Sequence, residues 1–224
     1  MNRNAIWHFL RPFRATLAIG ALLLVMNMGL LAGAQAGAKE LADSLQYDRQ
    51  AILDGQLWRL VTGNMVHWSP EHLALDLGAF LLLGIVYERS LRSSLPQLCL
   101  IFSLAIGLAL LVFLPNLEIY RGMSGVDSGL FAAALAVEWA MARGDPRRRF
   151  WLLPAGAIFV IKIAYECASG QLFFGTSALG ELGLPVPLSH AAGAFAAAAC
   201  IGCWLANSAR RSGARQTSPG QAIA

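Results

Sequence analysis

Six stretches of this chain are so long and so apolar that they decide what it can fold into. They fall at about residues 15–36, 72–87, 95–114, 124–142, 149–167 and 187–206. A helix needs about 20 mostly apolar residues to cross the ~30 Å hydrocarbon core of a bilayer. Inside that core the backbone must satisfy its own hydrogen bonds, which helices do. The expected fold is therefore all-α, a polytopic membrane protein with six transmembrane helices. Only 13% of the residues are charged, where a soluble domain carries about a quarter. No soluble domain of useful size is left over. The chain divides into an N-terminal segment 1–14, a helical bundle 15–206 and a tail 207–224. The tail is built of Arg, Ser, Gly, Gln and Pro and reads as disordered, its arginines suited to anionic lipid. No internal repeat of the kind found in transporters is visible.

Charge placement orients the bundle. Of the 17 basic residues only Lys39 and Lys162 are lysine. Arg3, Arg11 and Arg14 precede the first stretch. Arg89 and Arg92 follow the second, Arg143 and Arg147 to Arg149 follow the fourth, and Arg210, Arg211 and Arg215 follow the last. The opposite connections carry only Lys39, Arg49, Arg59 and Arg121. The positive-inside rule then puts both termini in the cytoplasm of a plasma or inner membrane. The first stretch ends in "AGAQAGA" after a basic start, which also reads like a cleavable leader. Its loss would leave the orientation of the rest unchanged. The outer connections are expected to be a long loop 37–71, a short one at 115–123 and another at 168–186. The net charge of +4 gives no nucleic-acid footprint. Cys99, Cys167, Cys200 and Cys203 all lie in or beside apolar stretches. A lone C-x-x-C on a helix reads as buried packing rather than a metal or redox site, and nothing in the sequence calls for a cofactor.

Ionisable residues inside spans are costly, so the ones kept there mark candidate sites. His72 and Asp76, four apart, share one face of the second span. The stretch "YRGMSGVDSG" (120–129) opens the fourth span with Ser124, Asp127 and Ser128 on one face. His190 opens the sixth. Lys162 and Glu166, also four apart, read as an intrahelical pair near the outer end of the fifth. Glu138 reads as a solvated residue near the cytoplasmic end of the fourth, and Asp127 as a cap or a partner inside the bundle. A serine, a histidine and a His/Asp pair near the outer ends of three helices suit acyl transfer. Ser124 needs a base to take its proton, and His190 has the right chemistry for one. Gly122 and Gly125 allow close approach of backbone or substrate. The unpaired N–H groups at the start of the fourth helix can face an oxyanion, and His72 can add a donor.

These residues resemble the rhomboid intramembrane serine proteases, over roughly residues 55–205. Trp58-Arg59, His67 and His72 resemble the family's first outer loop and second helix. Gly122-Met123-Ser124-Gly125 matches its G-x-S-G motif, and His190 with Gly193 resembles its H-x-x-G. The resemblance implies a Ser124–His190 dyad without a third acid, with His72 and the residue at 76, here Asp76, lining the oxyanion site; Gly122 and Asp127 are expected to line the site as well, Asp127 being unusual for the family beside the nucleophile. It implies structural roles for Trp58, Arg59, His67, Gly125 and Gly193, and for Glu88 as an acid tying a cytoplasmic loop. Asp76 stands where the family usually has Asn. Ionised it would repel an oxyanion; protonated it would donate to one. Ser128 stands where an aromatic residue often stacks on the histidine, and Ala197 replaces a second glycine.

The blocks "LDGQLWRLVTGNMVHWSPEHLALDL" and "YRGMSGVDSGLF", without soluble extensions, most resemble the rhombosortase subgroup. That resemblance implies substrates with a C-terminal sorting signal: a glycine-rich motif, an apolar helix and a basic tail. The expected partners are membrane lipid and such transmembrane substrates, with the site towards the extracytoplasmic side. Two rivals remain at this stage. A catalytically inactive rhomboid-like protein would bind transmembrane helices with the same fold. A small transporter would use Asp76, Asp127 and Lys162 as a polar pathway.

Overall fold

The computed structural model describes residues 11–31, 36–91, 95–171 and 186–216. The chain is mostly helical, and a helix falls on every apolar stretch. A 3-10 turn, Arg11–Phe13, leads into α1 (Arg14–Met26), which breaks at Asn27 and resumes as α2 (Met28–Leu31). Then come α3 (Ala36–Leu45), the short strand β1 (Tyr47–Asp48), α4 (Arg49–Leu53) and α5 (Arg59–Thr62). The second long helix is α6 (Pro70–Leu91), followed by α7 (Leu95–Phe113) and the strand β2 (Ile119–Tyr120). The remaining elements are α8 (Ser124–Met141), α9 (Pro146–Ser169) and α10 (Pro187–Gln216).

Among the described residues three helices are long and apolar enough to cross a membrane: α6 over Pro70–Arg89, α7, and α9. Helix α1 is apolar but shorter. Helices α8 and α10 begin with polar residues, Ser124, Asp127 and Ser128 in the one and Ser189 and His190 in the other. The backbone of α10 is helical to Gln216, so residues 207–216, expected in a disordered tail, continue the helix. The rest of that tail, residues 1–10 and most of the expected outer loop 168–186 lie outside the described residues.

Helix α8 is the centre of the packing. It contacts α10 most extensively, and also α6 and α7. Val126, Leu130, Ala133 and Val137 of α8 are buried against Phe102, Ile106 and Leu110 of α7 and Ala197 and Ile201 of α10. Glycines set the distance between α8 and α10. A Cβ on Gly125 would lie 2.8 Å from the Ser189 carbonyl oxygen, and one on Gly129 would lie 2.9 Å from that of Gly193. In an apolar solvent small residues let backbones approach and gain dispersion contact.

Helix α1 docks on α6 in a similar way, with Thr16 against Gly84. Glu88 of α6 then caps α1. It accepts the N–H groups of Ala15 (3.2 Å) and Thr16 (2.9 Å) and the Thr16 hydroxyl (2.5 Å). A carboxylate suits a helix N-terminus, whose first N–H groups have no intrahelical acceptor. Glu88 therefore holds a helix start, not a loop.

The segment expected as a long loop at 37–71 is largely ordered into short elements. Arg59 is buried and donates to Gln56 Oε1 and to the carbonyls of Asp43 and Gln46. Its neighbour Trp58 is exposed, with its indole N–H reaching the Ser44 carbonyl at 3.4 Å. Strands β1 and β2 pair antiparallel, Tyr47 opposite Tyr120. Asn27 spans the break in α1 by donating to the Met65 carbonyl and accepting the His67 N–H.

Candidate active site

A partly open cavity of about 520 Å³ lies where α6, α8, α9 and α10 converge. It is lined by Ser124, Asp127 and Ser128 of α8, His72 and Asp76 of α6, Lys162 and Glu166 of α9, and Ser189 and His190 of α10. The sequence placed candidates on three of these helices, and the fold brings them to one cavity.

The turn into α8 is fixed at each residue. Tyr120 is buried and donates its hydroxyl to the Gly122 carbonyl at 2.9 Å. Gly122 has φ +125, a conformation side chains rarely adopt, and a Cβ there would lie 2.7 Å from His72 Cε1. The Gly122 N–H donates to the Gly63 carbonyl at 3.3 Å, and the Met123 N–H to Asp76 Oδ2 at 2.6 Å. Ser124 follows as the first residue of α8, so the opening N–H groups of that helix have no acceptor within it.

His190 sits in the first turn of α10. Its Nε2 is 2.9 Å from Ser124 Oγ. The close crossing at Gly125 and Gly193 makes this contact possible, because the two residues flank it along their helices. On the other side of the ring, His190 Nδ1 is 2.7 Å from Glu166 Oε2. Lys162 Nζ donates to the same carboxylate oxygen at 2.8 Å and lies 3.1 Å from Nδ1. The intrahelical Lys162–Glu166 pair expected from sequence is present, but it is turned onto His190 instead of towards lipid or water. Glu166 is only 1% exposed. Sequence reading missed this contact. The signal was a carboxylate and an ammonium kept together in an apolar helix, with no way to tell which face turned inward.

Asp76 Oδ2 accepts the Met123 N–H and lies 3.2 Å from His67 Nε2 and 3.3 Å from His72 Nε2. The His67 and His72 rings meet edge to face at 5.1 Å. Asp127 is buried and lines the cavity, with neither carboxylate oxygen hydrogen-bonded among the described residues. It neither caps nor pairs there. Glu138 hydrogen-bonds Arg148 across the α8–α9 turn, away from the cavity. Arg121 stacks on Trp68 and donates to Asp43 at 2.6 Å. Burial lowers the pKa of its guanidinium from the ordinary value, and the Asp43 carboxylate opposes that.

Chemically the cavity offers a hydroxyl in contact with an imidazole, at a helix start with unpaired donors. That is the equipment for nucleophilic attack on a carbonyl, with the imidazole as proton acceptor. Among the described residues no group of three or more His, Cys, Asp or Glu side chains is arranged to hold a metal ion. The four cysteines are free thiols. A comparison with curated proteins finds no match. A family model described as "Rhomboid domain" matches residues 54–207, which include every residue of the cavity named above.

Proposed function

The chain belongs to the rhomboid family, and from that premise we propose that it is an intramembrane serine endopeptidase acting through Ser124 and His190. The observation that carries this reading is the 2.9 Å contact between Ser124 Oγ and His190 Nε2 inside a partly open cavity. Ser124 Oγ attacks the substrate carbonyl as its proton passes to His190 Nε2. The tetrahedral intermediate collapses as that proton moves to the departing amine, leaving an acyl-enzyme on Ser124. Water, or another amine, then displaces the acyl group. The N–H groups at the start of α8 and the His72 side chain face the oxyanion.

The substrate is a protein with a transmembrane helix that unwinds into the cavity between α6 and α9. The rhombosortase-like blocks around Trp58 and Ser124 favour one with a glycine-rich motif before the helix and a basic tail after it. In this reading the chain has six spans in the plasma membrane, both termini are cytoplasmic and the cavity faces the extracytoplasmic side, as the arginine distribution favours.

The test is Ser124→Ala in the full chain, reconstituted in bilayers. The assay substrate is a fusion protein ending in a glycine-rich motif, an apolar helix and an arginine cluster. Cleavage and labelling by a fluorophosphonate probe are both expected to vanish. Cleavage that persists in the variant would remove Ser124 as the nucleophile.

A further inference from the structure

The geometry points to Glu166 as a third member of the catalytic unit, a positioning residue that decides which nitrogen of His190 carries its hydrogen. Lys162 is the competitor that Glu166 holds off. The inference rests on the protease reading above and deepens it, since that reading uses a serine and a histidine alone.

His190 can accept the Ser124 proton only through a bare Nε2, so its own hydrogen must sit on Nδ1. Nδ1 has two neighbours of opposite kind. Glu166 Oε2 is 2.7 Å away and Lys162 Nζ is 3.1 Å away. A carboxylate accepts hydrogen bonds, whereas an ammonium only donates them. Bonded to Glu166, His190 donates from Nδ1 and turns the Nε2 lone pair to the hydroxyl. Bonded to Lys162, Nδ1 becomes the acceptor, the hydrogen moves to Nε2, and the base is lost.

Two observations favour Glu166. Its contact is the shorter one, and the same oxygen binds Lys162 Nζ at 2.8 Å, which draws one ammonium N–H to the carboxylate. Its side chain is also the more enclosed, 1% exposed against 18% for Lys162. Enclosure fixes the carboxylate and strengthens its pull on the ring. During attack His190 becomes a cation beside an existing cation, and Glu166 places one negative charge against the two, which lowers the cost of forming the imidazolium. No atom or electron is transferred to Glu166 in this scheme; it orients the ring and stabilises the imidazolium.

The experiment uses the full chain in detergent micelles or bilayers and needs no knowledge of the natural substrate. The rate at which a fluorophosphonate probe labels Ser124 measures the nucleophile and its base. The 15N spectrum of histidine-labelled protein reports which ring nitrogen of His190 bears hydrogen, with His190→Gln identifying its signals. Wild type is expected to show the Nδ1–H form. Glu166→Gln, which keeps the shape, is expected to slow labelling on the order of 10²-fold and to move the hydrogen towards Nε2. Glu166→Asp should recover part of the rate.

Labelling of Glu166→Gln at the wild-type rate, with the hydrogen still on Nδ1, would overturn the role given to Glu166 and leave the protease reading standing. Should Glu166→Gln fail to fold, the wild-type spectrum decides, because a hydrogen found on Nε2 overturns the proposal. A wild-type chain that never labels at Ser124 overturns the protease reading, and this inference with it.

Discussion

Asp76 Oδ2 gathers the Met123 N–H and two imidazoles within 3.3 Å, one residue ahead of Ser124. A charge-assisted bond to a buried N–H contributes about 1.5–3 kcal/mol, and a neutral one about 1 kcal/mol. Asp76→Asn keeps an oxygen for Met123, so Ser124 labelling should fall by roughly tenfold or less. Asp76→Leu leaves the Met123 N–H buried without an acceptor, and labelling should fall much further, together with the melting temperature in detergent. Equal effects from the two variants would mean that Asp76 does not position the turn. The sequence displayed His72 and Asp76 as a pair, since four residues on a helix make neighbours. It could not display Met123 or His67, whose approach depends on how α6 meets the turn before α8. Glu166 was hidden for a related reason. A lysine four residues before it already explained the charge, and α9 is apolar on most sides, so no periodicity marked the inward face.

At the scale of elements the decisive contact is the crossing of α8 and α10. Adding a methyl group at Gly193 puts it 2.9 Å from the Gly125 carbonyl carbon, where only backbone is available to move. Gly193→Ala should push the helices apart near Ser124 and slow labelling on the order of 10²-fold, with both reacting side chains intact. Gly202 lies further along the same helix with nothing within 4 Å of its added methyl. Gly202→Ala should leave labelling unchanged and raise stability slightly through helix propensity. Matching losses in both variants would refute the packing account. The long helices themselves were legible to within a few residues at most ends, because length and apolarity are local properties. The short elements between Ala36 and Thr62 were not. A two-residue strand exists only through its partner, and Tyr47 finds Tyr120 from 73 positions away only after the bundle has formed.

Across the whole molecule the helices are unequally held. In its most apolar stretch α9 has 6% of its residues buried, against 33% for α6 and 44% for α7. Its contacts with α8 include Phe159 on Phe131, with ring centroids 4.8 Å apart, and Gly156 near Leu135. On the proposed protease reading, this weakly packed helix beside the cavity is the side by which a substrate helix approaches. Phe159→Ala should therefore raise cleavage of the helix-bearing fusion roughly threefold, while labelling by the small probe stays the same. A parallel rise in both rates, or no rise, would place the barrier elsewhere.

The pairing of Tyr47 with Tyr120, reinforced by Gly63 and Gly122, joins two parts of the chain that face different surroundings. One part displays Leu53, Leu57 and Trp58 outward, a set of handles for a lipid leaflet. The other ends at the serine. The clasp makes them one piece, so the backbone bearing these exposed apolar side chains is tied directly to the turn that carries Ser124.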